Sequence, residues 1–248
     1  MSQVIAIDGP AYVGKSVIAK ALAERMGYLY INTGHMYRAV AKEALEKGTR
    51  LEDSGAVVSI VSSLNIQFKN EAHSCRTIVN QQDWTDKLDS YELVLSASKV
   101  ASIPQVRSVL TDMQRRYATQ QMIIMEGRDI GSVVFPDAAW KFFVTASLEV
   151  RARRMYKMID LKEQTLYSNY KALIPKLVEL DESDRNRKIA PLVMTEDAII
   201  YDNSDSPSGS EDALILKYYI THSEEILGNS NLIKYRRQET SISRGNHS

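Results

Sequence analysis

Short apolar runs recur along this chain, separated by longer stretches in which apolar residues return every three or four positions. The runs cover residues 4–7, 28–31, 122–125, 140–144 and 198–201. Runs of this length are typical of strands buried on both faces of a parallel sheet. The periodic stretches predict helices over residues 16–26, 35–47, 51–64, 91–103, 105–117, from Ser147 onward, and 210–226. The pattern therefore predicts an α/β fold with a parallel sheet core.

Three segments depart from this alternation. Residues 66–69 and 75–79 are short alternating runs joined by a polar turn, which predicts a hairpin in a small inserted unit. Residues 160–189 are strongly polar, and Pro175 is expected to interrupt their helical pattern, so we expect a mobile helical hairpin rather than core. Residues 229–248 are polar and mildly basic, and we expect a disordered tail.

Charge and cysteine content narrow the functional classes. The 248 residues include 31 basic and 31 acidic side chains, so no global field favours nucleic acid or an anionic membrane. The single cysteine, Cys75, excludes an intrachain disulfide and is compatible with a reducing compartment. No apolar run approaches the roughly 20 residues that cross a bilayer, and a motif begins too early for a signal peptide. We expect a cytoplasmic protein with neither nucleic acid nor membrane as a partner.

Residues 9–17, G-P-A-Y-V-G-K-S-V, contain the spacing G-x-x-x-x-G-K-[ST] of a phosphate-binding loop. Gly9 and Gly14 permit the tight turn that points successive N–H groups at a phosphate chain, and the following helix N-terminus adds partial positive charge. Lys15 can reach the outer phosphates, and the Ser16 hydroxyl can ligate Mg²⁺. The alternative is a turn with a chance lysine and serine, which the strand before it and the helix after it argue against. The predicted site consists of Gly9, Pro10, Ala11, Tyr12, Val13, Gly14, Lys15, Ser16 and Val17.

Polar residues follow two of the apolar runs. Thr33 comes just after residues 28–31, and Arg38 lies one turn into the next helix. Ligands of open α/β sheets bind beyond the carboxyl ends of the strands, so both residues are placed to meet one. A solvated helix surface is an equal alternative for Arg38. Residues 126–129, E-G-R-D, follow the most apolar run, and a charged cluster there favours a site.

Other polar residues leave the interpretation open. Arg151, Arg153 and Arg154 could form a solvated helix face, yet such a face suits polyphosphate equally well. Ser98 and Arg107 flank the break at Pro104, which disfavours helix at the residue before it. Either would ordinarily be a surface residue.

Five blocks of sequence resemble the bacterial cytidylate kinases, a family of nucleoside monophosphate kinases. The blocks are I-A-I-D-G-P at 5–10, T-G-H-M-Y-R at 33–38, S-K-V-A-S-I-P-Q-V-R at 98–107, E-G-R-D-I-G-S-V-V-F-P-D-A at 126–138 and D-R-N-R-K-I-A-P-L at 184–192. The resemblance implies a P-loop kinase core over residues 1–228, with a monophosphate-binding insert at about 65–100 and a helical lid at about 158–190. It implies ATP-dependent phosphorylation of CMP or dCMP to CDP or dCDP, with ATP and Mg²⁺ as cofactors, and we expect a monomer.

The resemblance also assigns roles to individual residues. Lys15 and Ser16 would serve ATP and Mg²⁺, and Lys15, Arg128 and Arg187 would be catalytic. The acceptor side would consist of Thr33, Arg38, Ser98, Arg107, Arg128, Asp129, Asp184 and Arg187. In that set the acceptor phosphate would be bound by Arg38, Arg128 and Arg187. Ser98, Arg107 and Asp129 recognise the pyrimidine, and Asp184 meets the sugar. Arginines converging from separate segments suit phosphoryl transfer, which depends on positioning and charge neutralisation.

Five positions depart from the family pattern. Tyr12 and Val13 replace small residues, Asn32 stands where Asp is usual, Asp89 where Arg is usual, and Leu180 where Arg is expected. Together they keep a second hypothesis open, namely a weakly active or non-catalytic nucleotide-binding paralogue that acts through partners. For Leu180 we favour a slower enzyme that Leu180→Arg would accelerate. The alternative is that Leu180 packs on the core when the lid closes.

Overall fold

The computed structural model describes residues 4–71, 74–159 and 164–205. In this part of the chain a five-stranded parallel sheet contains β1 (Val4–Asp8), β2 (Leu29–Asn32), β6 (Ile123–Gly127), β7 (Trp140–Thr145) and β8 (Ile199–Asp202). The order of the strands across the sheet is β2-β6-β1-β7-β8. A three-stranded antiparallel sheet, here called the insert sheet, contains β3 (Ile66–Glu71), β4 (Ser74–Val79) and β5 (Gln82–Asp83). The predicted parallel core and the predicted small antiparallel unit are both confirmed.

The central strands are buried because both faces of the sheet are covered. Every residue of β1 and β6 is buried, and Ile123, Ile124 and Met125 have no exposed surface. Alternate side chains enter two apolar clusters on opposite faces of the sheet. The register pairs Asp8 with Gly127 and Asn32 with Glu126, so the polar ends of three strands meet at one edge.

The helices lie close to the predicted positions. They are α1 (Lys15–Met26), α2 (Thr33–Glu46), α3 (Ser54–Ser63), α4 (Tyr91–Ala101), α5 (Pro104–Ala118), α6 (Leu148–Met158) and α7 (Ile174–Arg185). Short 3₁₀ helices cover Thr85–Leu88 and Tyr170–Leu173, and a π-helical turn covers Ile130–Val134. Helix α2 begins two residues before the predicted start because the Asn32 side chain accepts from the His35 N–H at 3.2 Å and caps it. The predicted helix 210–226 and tail 229–248 lie outside the described residues.

The position of Pro175 corrects one prediction. Pro175 does not interrupt a helix but lies in the first turn of α7, where its missing N–H would have no helical acceptor. Leu177 of α7 is fully buried with Leu173 and packs with Met155 and Ile159 at the end of α6. The polar composition of residues 160–189 therefore obscured an apolar face. That this segment acts as a lid stays a proposal.

None of the helices in the described ranges is both long enough and apolar enough to cross a bilayer.

Candidate active site

The phosphate-binding loop follows β1 and leads directly into α1, as the motif requires. Gly9 has φ of 147° and Gly14 has φ of 97°, values that side-chain-bearing residues rarely adopt. Space is also restricted, since a Cβ on Gly9 would lie 2.1 Å from the carbonyl oxygen of Val144. A Cβ on Gly14 would lie 2.4 Å from Asn203 Nδ2. Both glycines are thus required by conformation and by close packing.

The loop is held from its outer side through its carbonyl groups. Arg151 Nε donates to the Ala11 carbonyl at 2.7 Å, and Arg154 Nη1 donates to the Val13 carbonyl at 2.9 Å. Asn203 Nδ2 also donates to the Val13 carbonyl, at 2.7 Å. Because the N–H and C=O of a peptide unit point in opposite directions, these contacts fix the direction of the adjoining amides. Such amides form an anion-binding concavity.

The three arginines of α6 have different environments. Arg151 is buried and forms an ion pair with Asp181, while Arg154 contacts the loop and the Asn203 carbonyl. Arg153 is exposed and contacts Glu149 and Tyr170. The solvated-face interpretation therefore holds for Arg153 alone.

Lys15 is buried at the start of α1, and its Nζ donates to the Pro10 carbonyl at 2.6 Å. Burial, followed by the nearby charge of Arg128, lowers the pKa of Lys15 well below the usual lysine range. An anion bound in the loop would counter both effects by supplying an opposite charge.

Arg128, Asp184 and Arg187 form one charged group between β6 and the end of α7. Arg128 Nε donates to Asp184 Oδ2 at 2.8 Å, and Arg187 Nη1 lies 3.4 Å from Asp184 Oδ1. Arg187 Nη2 donates to the Ala190 carbonyl, while its Nε is buried with no partner among the described residues. A buried N–H without an acceptor is costly, so the hydrogen-bonding capacity of Arg187 is not fully used among the described residues.

Arg107 and Asp129 form a buried ion pair on another side of the cleft. Arg107 also donates to the Ala101 carbonyl at 3.2 Å and lies over the Tyr37 ring at 5.5 Å. Ser98 is nearby on α4, with its hydroxyl 3.1 Å from that of Ser183 on α7. These donors and acceptors come from α4, α5, β6 and α7, which lie far apart in the sequence.

Arg38 lies on α2 and is held by the insert segment. Its Nε donates to the Gly34 carbonyl at 3.2 Å, and its Nη1 lies 3.6 Å from Asp89 Oδ1. The Thr33 hydroxyl donates to the Glu126 carbonyl at 2.8 Å, which fastens the start of α2 to the end of β6. The side chain of Arg38 is mostly buried, so the solvated-surface alternative is wrong.

A single cleft of about 780 Å³ brings most of the predicted residues together. Its walls include Ala11, Tyr12, Gly14, Lys15, Ser16, Val17, Thr33, Arg38, Ser98, Arg107, Arg128, Asp129, Asp184 and Arg187. Gly9, Pro10 and Val13 do not line the cleft, and they shape the loop from behind. The role of each residue remains a prediction.

Sequence reasoning singled out no role for three groups at this site. Glu126 is buried at the end of β6 and accepts a hydrogen bond from the Tyr30 hydroxyl. His35 and Asp89 contact each other beside Arg38. Glu126 belongs to the charged cluster that the strand pattern indicated, whereas the pairing of His35 with Asp89 left no signal in the spacing.

The conformation of Tyr12 allows this large residue to fit inside the phosphate-binding loop. It adopts a left-handed φ of 61°, and its side chain packs against the apolar cluster that contains Met155 and Leu177. The ring therefore extends towards α6 and α7, and the loop gains an apolar contact with the predicted lid.

The family model described as cytidylate kinase matches residues 5–214. The chain belongs to the cytidylate kinase family. A cytidylate kinase of Citrifermentans bemidjiense is 38% identical over 201 residues, which cover 81% of this chain and 85% of that protein. One of Clostridium botulinum is 40% identical over 201 residues, covering 81% of this chain and 90% of that protein.

A solved structure, that of TT1252 from Thermus thermophilus, matches with a TM-score of 0.40 and 18% identity over 87% of this chain and 95% of that one. Membership of the cytidylate kinase family rests on the sequence matches.

Proposed function

We propose that this protein transfers the terminal phosphoryl group of ATP to CMP or dCMP. The observation that carries the proposal is the convergence of a phosphate-binding loop with Arg38, Arg128 and Arg187 in one cleft. Relatives at 38–40% identity are named cytidylate kinase, and no comparison favours a non-catalytic paralogue. We also expect a cytoplasmic monomer, and size-exclusion chromatography of the full chain tests its oligomeric state.

On the donor side, the loop amides and Lys15 would hold the phosphates of ATP. Lys15 would exchange its contact with the Pro10 carbonyl for a phosphate oxygen, with its charge compensated by the ligand. The Ser16 hydroxyl lines the cleft at the start of α1 and has the oxygen chemistry that Mg²⁺ prefers, with phosphate oxygens and water completing the shell. When bound, Mg²⁺ would neutralise charge on the phosphates.

On the acceptor side, three arginines would neutralise and orient the monophosphate. Arg128 and Arg187 share Asp184, which limits their side-chain freedom. The Arg187 Nε, which has no partner within the described ranges, would donate to a phosphate oxygen. Asp184 would additionally meet the sugar. This division supplies positioning and charge neutralisation without a protein nucleophile.

Recognition of the base would fall to Ser98, Arg107 and Asp129. A hydroxyl, a guanidinium and a carboxylate offer donors and acceptors that can match the edge of cytosine. The insert sheet would support the monophosphate side, and α7 with the loop to Leu192 would close over the nucleotides. Closure would exclude water and so limit hydrolysis of ATP.

The test is a coupled ADP-release assay with ATP and Mg²⁺ and with CMP, dCMP, UMP, AMP and GMP as acceptors. We expect the highest kcat/KM for CMP or dCMP. ATP binding without ADP release for any acceptor would contradict the proposal and favour the non-catalytic paralogue. A purine acceptor with the highest kcat/KM would contradict the choice of substrate.

A further inference from the structure

Four side chains form a continuous set of contacts from the insert sheet to the cleft. His35 Nδ1 lies 2.7 Å from Thr77 Oγ1 on β4, and His35 Nε2 lies 3.2 Å from Asp89 Oδ1. Asp89 Oδ1 in turn lies 3.6 Å from Arg38 Nη1. His35 and Thr77 are buried, whereas the Asp89 side chain is half exposed at the cleft wall.

Hydrogen-bonding chemistry determines the direction of each contact. An ionised carboxylate only accepts, so His35 Nε2–H donates to Asp89, and Nδ1 of the neutral ring accepts from the Thr77 hydroxyl. Burial lowers the pKa of His35, despite the opposing effect of Asp89, which agrees with a neutral ring. Burial alone would raise the pKa of Asp89, but the His35 hydrogen bond and the Arg38 charge hold it below its ordinary value. Asp89 is therefore a fixed, ionised partner for Arg38.

Asp89 forms the ion pair with Arg38, whereas a second polar side chain near that arginine, Asn32, carries no charge. Here the Asn32 side chain is neutral and caps α2. Position 32 is nevertheless close to the same arginine. A Cβ built on Gly34 would lie 3.0 Å from Asn32 Oδ1 and 3.4 Å from Arg38 Nη2, so both side chains flank that glycine.

We propose that Asp89 is a positioning residue that orients Arg38 towards the acceptor phosphate, a task that a carboxylate at position 32 can also fulfil. The proposal rests on the proposed acceptor site. Orienting a long guanidinium side chain before the ligand arrives reduces the entropy lost on binding. The contacts through His35 and Thr77 make the orientation of Arg38 depend on how the insert sheet packs.

The first experiment compares Asp89→Asn with Asp86→Asn in the full-length protein. Asp86 is exposed on the 3₁₀ helix that ends just before Asp89, and it does not line the cleft. Asp86→Asn therefore controls for the change in charge. Calorimetry measures the Kd of CMP, and steady-state kinetics measure the KM of CMP and of ATP. We expect Asp89→Asn to raise the Kd and KM of CMP about two- to fivefold, the effect of losing a partly exposed charged contact. The KM of ATP, the melting temperature and all values for Asp86→Asn should be unchanged.

The second experiment moves the carboxylate from position 89 to position 32 in the double variant Asp89→Asn/Asn32→Asp. Aspartate still caps α2, and its charge would lie near the Arg38 guanidinium, so we expect most of the lost CMP affinity to return. Failure to recover would overturn the claim that positions 32 and 89 share one task. An unchanged Kd of CMP in Asp89→Asn would overturn the positioning role, and a lower Kd would show that Asp89 competes with the phosphate for Arg38. If the wild type binds CMP without turnover, the proposed function fails while the Kd comparison still decides the role of Asp89.

Discussion

Arg151 and Asp181 form a buried bidentate ion pair that joins α6 to α7, with nitrogen–oxygen distances of 2.6 and 2.7 Å. The third donor of the same guanidinium, Nε, binds the Ala11 carbonyl of the phosphate-binding loop. One side chain thus links the loop to the predicted lid. A planar guanidinium supports this arrangement because its donors form a rigid fork.

Asp181→Ala should therefore destabilise the protein. Removal of one partner leaves the Arg151 charge buried and uncompensated, and we expect the free energy of unfolding to fall by about 3–5 kcal/mol. Urea denaturation measures the change. The double variant Arg151→Met/Asp181→Leu should recover much of it, because an apolar pair leaves no buried charge. Glu149→Ala, which removes one partner of the exposed Glu149–Arg153 pair, is the control. An equal loss of unfolding free energy in Asp181→Ala and Glu149→Ala would contradict this interpretation.

Lys15→Ala should abolish useful phosphoryl transfer and leave the fold intact. Loss of one positioned donor at the transferring phosphate typically reduces kcat by about 10²–10³-fold. The buried ammonium has a depressed pKa, so its removal should not lower the melting temperature. Lys69→Ala, an exposed change on β3, is the control. Wild-type turnover in Lys15→Ala would exclude this loop as the catalytic phosphate site.

Asp129→Asn should weaken discrimination between CMP and UMP. The substitution neutralises the partner of Arg107 and exchanges an acceptor for a donor in a buried pocket. A lost hydrogen bond to a charged group is worth about 1.5–3 kcal/mol, so the ratio of kcat/KM values should fall at least tenfold. Arg107→Ala should act in the same direction. The exposed change Asp137→Asn should leave the ratio unaltered. An unaltered ratio in both test variants would remove the pair from base recognition.

Leu180 is only 7% exposed although it lines the cleft, and this burial favours the packing alternative over a simple loss of arginine. We now expect Leu180→Arg to lower the free energy of unfolding by about 1.5–3 kcal/mol, the value of burying a leucine. The kcat/KM for CMP should not rise. Leu180→Met, which conserves volume, should cost less than about 1.5 kcal/mol. Severalfold higher activity with unchanged stability would restore the earlier interpretation.

Asp8 should give stability a measurable pH dependence. Burial raises the pKa of Asp8 from 3.8 to about 6, although the amides of Ile130 and Gly131 donate to its oxygens. The folded state therefore binds this proton more tightly than the unfolded state does, so stability from Asp8 falls as pH rises from about 4 to 6. The change corresponds to about 3 kcal/mol. Asp8→Asn should remove that slope, whereas Asp86→Asn should keep it. Parallel slopes for wild type and Asp8→Asn would contradict the raised pKa.

Local features of this protein could be predicted from the sequence because they depend on residues close together in the chain. The apolar runs indicated β1, β2, β6, β7 and β8, since a strand buried on both faces has few polar side chains. The phosphate-binding loop could also be predicted from the sequence, because its amides are consecutive and Gly9 and Gly14 provide conformations that few residues adopt. The resemblance then added expected roles for distant residues, which geometry alone did not supply.

The tertiary structure decided which distant side chains share a partner. Spacing along α6 could not distinguish a solvated Arg151 from a buried one, because the outcome depends on Asp181 in another helix. The polar composition around α7 likewise concealed the leucines that pack on α6. From the sequence, Asp89 was only a residue that differs from the family pattern. The tertiary structure showed that it lies between His35 and Arg38. Strand order and helix packing bring these residues into contact. Their separation along the chain does not indicate how close they lie in space.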